Sequence, residues 1–143
     1  MDKVKRLLGG VVLTPQKRIL DAKGDIYHAI KSTDDSFTGF GEAYFSGVKF
    51  GAIKGWKQHS LMTLNLVVPV GEIRFHMRSS DGIEYDSVDL GRKNYQRLTV
   101  PPGVWLAFEG LDLPDNLLLN IASIPHDPLE ALVVPLETYS LTD

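Results

Sequence analysis

The run Leu61-Met62-Thr63-Leu64-Asn65-Leu66-Val67-Val68-Pro69-Val70, closed by Gly71-Glu72 and followed by Ile73-Arg74-Phe75-His76-Met77, decides the fold class. It is aliphatic and β-branched and bounded by turn formers, which predicts strands. Side chains on a strand alternate faces, so Met62, Leu64, Leu66, Val68 and Val70 share one apolar face. Carried back to Trp56, the same strand sets Lys57, His59, Thr63 and Asn65 on the other. That second face reads either as the lining of a cavity or as a solvated outer surface.

Working outward, further strands are expected over residues 73–77, 95–100 and 117–124. Turns are expected at Ser80-Asp81-Gly82, Pro101-Pro102-Gly103 and Leu113-Pro114-Asp115-Asn116. The 13 glycines and 8 prolines divide the 143 residues into short segments. Many short strands without a sustained helical period predict an all-β sandwich or closed barrel. The one helical candidate is residues 1–8. No repeat, low-complexity tract or linker divides the chain, so a single domain over residues 1–143 is expected.

The net charge of -3 comes from interspersed acids and bases. No basic block could follow a phosphate backbone, and nucleic acid is not an expected partner. With no cysteine, a disulfide framework and a thiolate metal site are excluded. The apolar run at residues 4–8 breaks at Gly9 and Gly10, too early for a signal segment, and no stretch approaches a membrane-spanning length. The expectation is a cytoplasmic protein with no membrane partner.

Gly41-Glu42-Ala43-Tyr44-Phe45-Ser46, then Gly51-Ala52-Ile53-Lys54-Gly55-Trp56-Lys57-Gln58-His59, resembles the GxxYxS…GxxRGxHxH region of the dTDP-4-dehydrorhamnose 3,5-epimerase (RmlC-like) cupins. Arg97 through Trp105 is similar to that family's IPPGxxHGF segment, Asn120 through Pro128 to its N…YxP segment, and Asp21-Ala22-Lys23-Gly24 to its DxRG turn. The chain is closer still to a short subgroup with IKGWKxH…MTLNLVVPVG. The resemblance implies a jelly-roll β-barrel, a nucleotide-linked sugar as ligand, no cofactor, and a homodimer whose pocket draws on both chains. It implies an isomerase that takes a proton from beside the keto group of a dTDP-4-keto-6-deoxy sugar, in surface polysaccharide synthesis. A 3,4-ketoisomerase and a non-catalytic nucleotide-sugar-binding cupin are the alternatives.

On that resemblance His59 is the candidate base and Lys57 the stabiliser of the enolate. Lys23 and Lys54 stand where the epimerases have diphosphate-binding arginines, Glu42 lies in the first motif, and Thr63, Asn65 and Asn120 are candidates for sugar hydroxyls. Read from residue type alone, His59 is first an ordinary polar residue at a barrel mouth, and Lys57 is equally a surface lysine. The departures are Lys57 at the position of the family's base, Leu106 in place of the histidine after the PPG turn, and no tyrosine near Ile124-Pro125-His126. Lys57, His59 and Leu106 do not form a metal-binding set, so no metal is expected. Trp56, Tyr44 and Phe45 read as core or as stacking groups. Pro125-His126-Asp127-Pro128 reads as a rigid turn, and Glu72, Arg74, His76 and Arg78 as a solvated face. The apolar face from Met62 to Val70, with Gly10-Val11-Val12-Leu13 as an edge strand, gives a second reason to expect a homodimer.

Overall fold

The computed structural model describes residues 3–143 and contains thirteen strands. They are β1 (Lys5–Arg6), β2 (Val12–Pro15), β3 (Arg18–Ile19), β4 (Ile26–Tyr27), β5 (Glu42–Lys49), β6 (Ile53–His59), β7 (Leu64–Val70), β8 (Glu72–Arg78), β9 (Tyr85–Gly91), β10 (Gln96–Val100), β11 (Trp105–Gly110), β12 (Asp115–Ala122) and β13 (Ala131–Val133). One sheet runs β1-β2-β10-β7-β12-β5, a second β13-β6-β11-β8-β9, and β3 and β4 form a separate hairpin. Apart from the β8–β9 hairpin, strands from β5 onward alternate between the two sheets. This is the crossing pattern of the jelly roll that the family resemblance implies.

The apolar faces of both sheets meet in one core that includes Val48, Leu66, Val68, Ile73, Phe75, Met77, Leu90, Leu98 and Leu118. Each such side chain stabilises the fold by about 1.5–3 kcal/mol through burial. Met62, Leu64, Leu66 and Val68 all point into this core and only Val70 is exposed. The long apolar face is therefore consumed within the chain and provides no surface for a partner. Val11 and Leu13 are likewise buried, with β2 paired to β1 and β10.

The expected continuous strand from Trp56 to Val70 is two strands in two sheets. The break has a chemical cause: the backbone N–H groups of Ser60, Leu61 and Met62 all donate to Glu130 Oε2, and that of Thr63 to Ser123 Oγ. Amides turned toward side chains cannot continue a ladder. The expected N-terminal helix is also absent from the described residues, Met1 and Asp2 lying outside them. Lys5–Arg6 pairs with β2, and Gly9 and Gly10, at φ of 63° and 85°, turn the chain back on itself.

The outer face of β8 is partly solvated at Glu72 and Arg74, as expected, but buried at His76 and Arg78. The C-terminal residues lie over it, and Arg78 donates to the carbonyls of Ser140, Thr142, Gly82 and Ile83. Beside it Trp56, Trp105 and Ala107 form a second cluster beneath Leu136 and Tyr139, with Trp56 Nε1 donating to the carbonyls of both. Asn116, fully buried, closes the far end of the barrel. It accepts from the backbone N–H of Glu72 and Asp112 and donates to the carbonyls of Val48 and Asp112. Among the described residues no helix is long and apolar enough to cross a membrane.

Candidate active site

Two lysines share the inward-facing side of β6 because the strand carries a bulge, Lys57 lining the interior and Lys54 remaining exposed. Leu106 pairs with Lys57 and Phe108 with Lys54, so Gly55 and Trp56 together oppose Ala107 alone. Paired residues share a face, and Leu106 and Phe108 face inward; Lys54 and Lys57 therefore do too, although regular alternation would set them on opposite faces. A Cβ on Gly55 would come within 2.3 Å of Ala107 Cβ, so only glycine fits this crossing.

Between the sheets lies a cavity of about 120 Å³. Its walls include Leu64, Leu66, Val104, Leu106, Phe108 and Leu118 on the apolar side, and Tyr44, Ser46, Lys57, His59 and Asn120 on the polar side. Lys57 Nζ makes no hydrogen bond or ion pair among the described residues. Lys54 Nζ donates to the Gly47 carbonyl at 2.7 Å and to Ser46 Oγ at 3.4 Å, linking the edges of the two sheets. Asn120 Nδ2 donates to Tyr44 Oη at 3.0 Å, and Asn120 Oδ1 is buried without a protein partner. Tyr44 thus accepts at oxygen, and its own O–H has no acceptor among the described residues.

His59 Nδ1 lies 2.6 Å from Glu130 Oε1. Glu130 is 5% exposed. Burial alone would raise its carboxyl, but the hydrogen bonds from His59 and from the N–H groups of Leu61 and Met62 outweigh this and bring it down to about 2. In the neutral tautomer of His59 the Glu130 carboxylate fixes the proton on Nδ1 and leaves the Nε2 lone pair free. A base with a fixed tautomer, an ammonium group and a phenolic proton donor thus surround one largely apolar space. That set suits removal of a proton from a carbon acidified by a neighbouring carbonyl.

No protein-family model and no curated protein matches the chain. Among solved structures, the dTDP sugar isomerase from Desulfovibrio desulfuricans G20 matches at 32% identity over 93% of this chain and 91% of that chain, with a TM-score of 0.88. The chain belongs to the RmlC-like cupins. The RmlC epimerase of Mycobacterium tuberculosis shares the fold at a TM-score of 0.82 and 14% identity, over 93% of this chain and 73% of that chain. The 3,4-ketoisomerase QdtA from Thermoanaerobacterium thermosaccharolyticum, in complex with TDP, shares it at 0.75 and 21%, over 88% and 89%.

In this RmlC-like cupin the residues singled out by sequence separate into three groups. His59, Lys57 and Asn120 line the cavity. Lys54 and Glu42 lie on the inner face beyond its wall, Glu42 sharing a face of β5 with Tyr44. Asn65, Thr63 and Lys23 are not brought to the cavity. Asn65 is on the opposite face of β7, where Thr99 Oγ1 donates to it and it donates to the Ser36 carbonyl. Thr63 sits at the corner after β6, and Lys23 is in the exposed Asp21–Gly24 turn. Of the three aromatics, Tyr44 lines the cavity, Phe45 is exposed, and Trp56 is buried in the outer cluster. Glu130 and Ser46 are the site residues that sequence reasoning misses, and Tyr44, read as core or a stacking group, offers its hydroxyl instead. Among the described residues no three His, Asp or Glu side chains gather as a metal site would require.

Proposed function

We propose that the chain is an isomerase acting on a nucleotide-linked 4-keto-6-deoxy sugar, epimerising a carbon beside the keto group. The observation that carries this reading is the His59–Glu130 pair at the wall of the apolar cavity, with Lys57 beside it on the same strand. His59 Nε2 takes the proton from carbon, and Glu130 stabilises the imidazolium that forms. The Lys57 ammonium stabilises the negative charge developing on the keto oxygen. Tyr44 returns a proton to carbon. The apolar walls exclude water and accept a deoxy methyl group, while Asn120 Oδ1 accepts from a sugar hydroxyl. Lys54, exposed on the same side of β6 as Lys57, supplies a cation for the diphosphate.

Base and acid stand on different sheets, His59 on β6 and Tyr44 on β5, facing a shared cavity. Removal from one side and return from the other inverts the carbon between them, which favours epimerisation over a 3,4-carbonyl shift. Incubation with dTDP-4-keto-6-deoxyglucose in D2O tests the reading. Proton NMR should show deuterium at a carbon next to the keto group in a product of inverted configuration. A moved carbonyl would identify a ketoisomerase, and binding without exchange a non-catalytic cupin.

The same reading includes a homodimer. The exposed edge strand β5, with Phe45 64% and Tyr44 44% exposed beside the site, supports it in place of the buried β7 face.

A further inference from the structure

The C-terminal strap, residues 130–142, begins at Glu130, pairs with β6 through β13, and ends across the outer face of β8. Its far end is held through three carbonyls. Arg78 binds those of Ser140 and Thr142, and Tyr85 Oη donates to that of Leu141 at 2.9 Å. Tyr85 has one proton and gives it to Leu141. The 2.7 Å contact between Tyr85 Oη and His76 Nδ1 therefore has Nδ1 as its donor. His76 Nε2 lies 3.0 Å from Glu109 Oε1, so it donates as well. Glu109 is partly exposed and lies opposite Arg74 in the ladder. An imidazole that donates from both nitrogens is an imidazolium, here only 3% exposed.

We infer that His76 is a proton-controlled latch on the strap that carries Glu130. On losing one proton to solvent, the ring keeps the one on Nε2, because a hydrogen bond to a carboxylate is about twice as strong as one between neutral groups. Nδ1 then becomes an acceptor. The Tyr85 hydroxyl turns from the Leu141 carbonyl to Nδ1, and the strap loses that tie. The groups facing the ring are Tyr85, Ser87 and Asp89 from β9, Glu109 from β11, Arg74 and Arg78 from β8 itself, and Asp143 from the strap end. Arg74 is already forked onto Asp89, so Glu109 is the carboxylate left to the imidazole.

Amide hydrogen exchange of residues 136–142, corrected for intrinsic rates, tests the latch without reference to any substrate. Protection should fall by about two- to tenfold, the equivalent of one net hydrogen bond, as pH rises from about 5 to about 8. Tyr85→Phe and His76→Gln should each show the lower protection at every pH. Nitrogen-15 spectra of the unmodified protein should find both His76 ring nitrogens protonated while the strap is protected and Nε2 alone protonated once it loosens. Protection that does not vary with pH, a pH response retained in His76→Gln, or a neutral ring protonated on Nδ1 would each overturn the proposal.

Discussion

Glu130 Oε1 lies 2.6 Å from His59 Nδ1 across a sequence separation of 71 residues, while its second oxygen gathers the three N–H groups of the corner that follows His59. The carboxylate that orients the base also builds the turn ending the base's strand. Position and protonation of His59 thus depend on one side chain.

Replacing Glu130→Gln should lower turnover of the keto sugar by about 10²- to 10⁴-fold, the range for a histidine that loses its orienting carboxylate. It should also destabilise the fold. Since folding lowers the Glu130 carboxyl from 4.5 to about 2, its contribution, on the order of 3 kcal/mol, is present above about pH 4.5. It is lost as pH falls toward 2. Urea unfolding should show a gap between parent and variant at neutral pH that narrows on acidification.

Lys57→Met and Tyr44→Phe separate the two roles on the polar wall. Loss of the cation should reduce exchange at carbon by about 10²- to 10³-fold. Loss of the phenol should slow product formation more than proton removal, so deuterium appears in recovered substrate. Parallel measurement of exchange and turnover distinguishes them; equal effects in both variants would contradict the division of labour.

Asn116→Ala tests the far end of the barrel, away from the cavity. The backbone N–H groups of Glu72 and Asp112 lose their shared acceptor. A cost of about 3 kcal/mol is expected from buried polar groups left unpaired. Chemical denaturation should show it, with turnover per folded molecule unchanged.

Light scattering at micromolar concentration should give about twice the 15.9 kDa chain mass. Phe45→Glu, on the exposed outward side of β5, should shift the protein toward monomer. A monomeric parent would remove the dimer from the proposed function.

The alternation of residues 62–70 was enough to read the all-β class and to place Met62, Leu64, Leu66 and Val68 on a core face, because burial on one side imposes period two. The corner at Ser60 was hidden. Leu61 and Met62 continue the apolar run, and the carboxylate that turns the backbone comes from a distant segment. That is why Asn65 was grouped with His59, although the two strands lie in different sheets. The bulge left one mark, Gly55 inside a strand, which regular alternation ignored. Glu130 had no local signal at all, as a lone acid after Pro128-Leu129 reads as an ordinary turn residue. The burial of His76 and Arg78 on the outer face of β8 is illegible for a related reason: Arg78 is satisfied by backbone carbonyls of the strap, which carry no sequence signature.

The central claim is that His59 is the base, and His59→Asn tests it most directly by removing the proton acceptor while keeping a polar side chain of similar size. Proton NMR in D2O with dTDP-4-keto-6-deoxyglucose should show exchange at the carbon beside the keto group reduced by about 10² or more, with nucleotide affinity near that of the parent. Exchange at the parent rate would contradict the account.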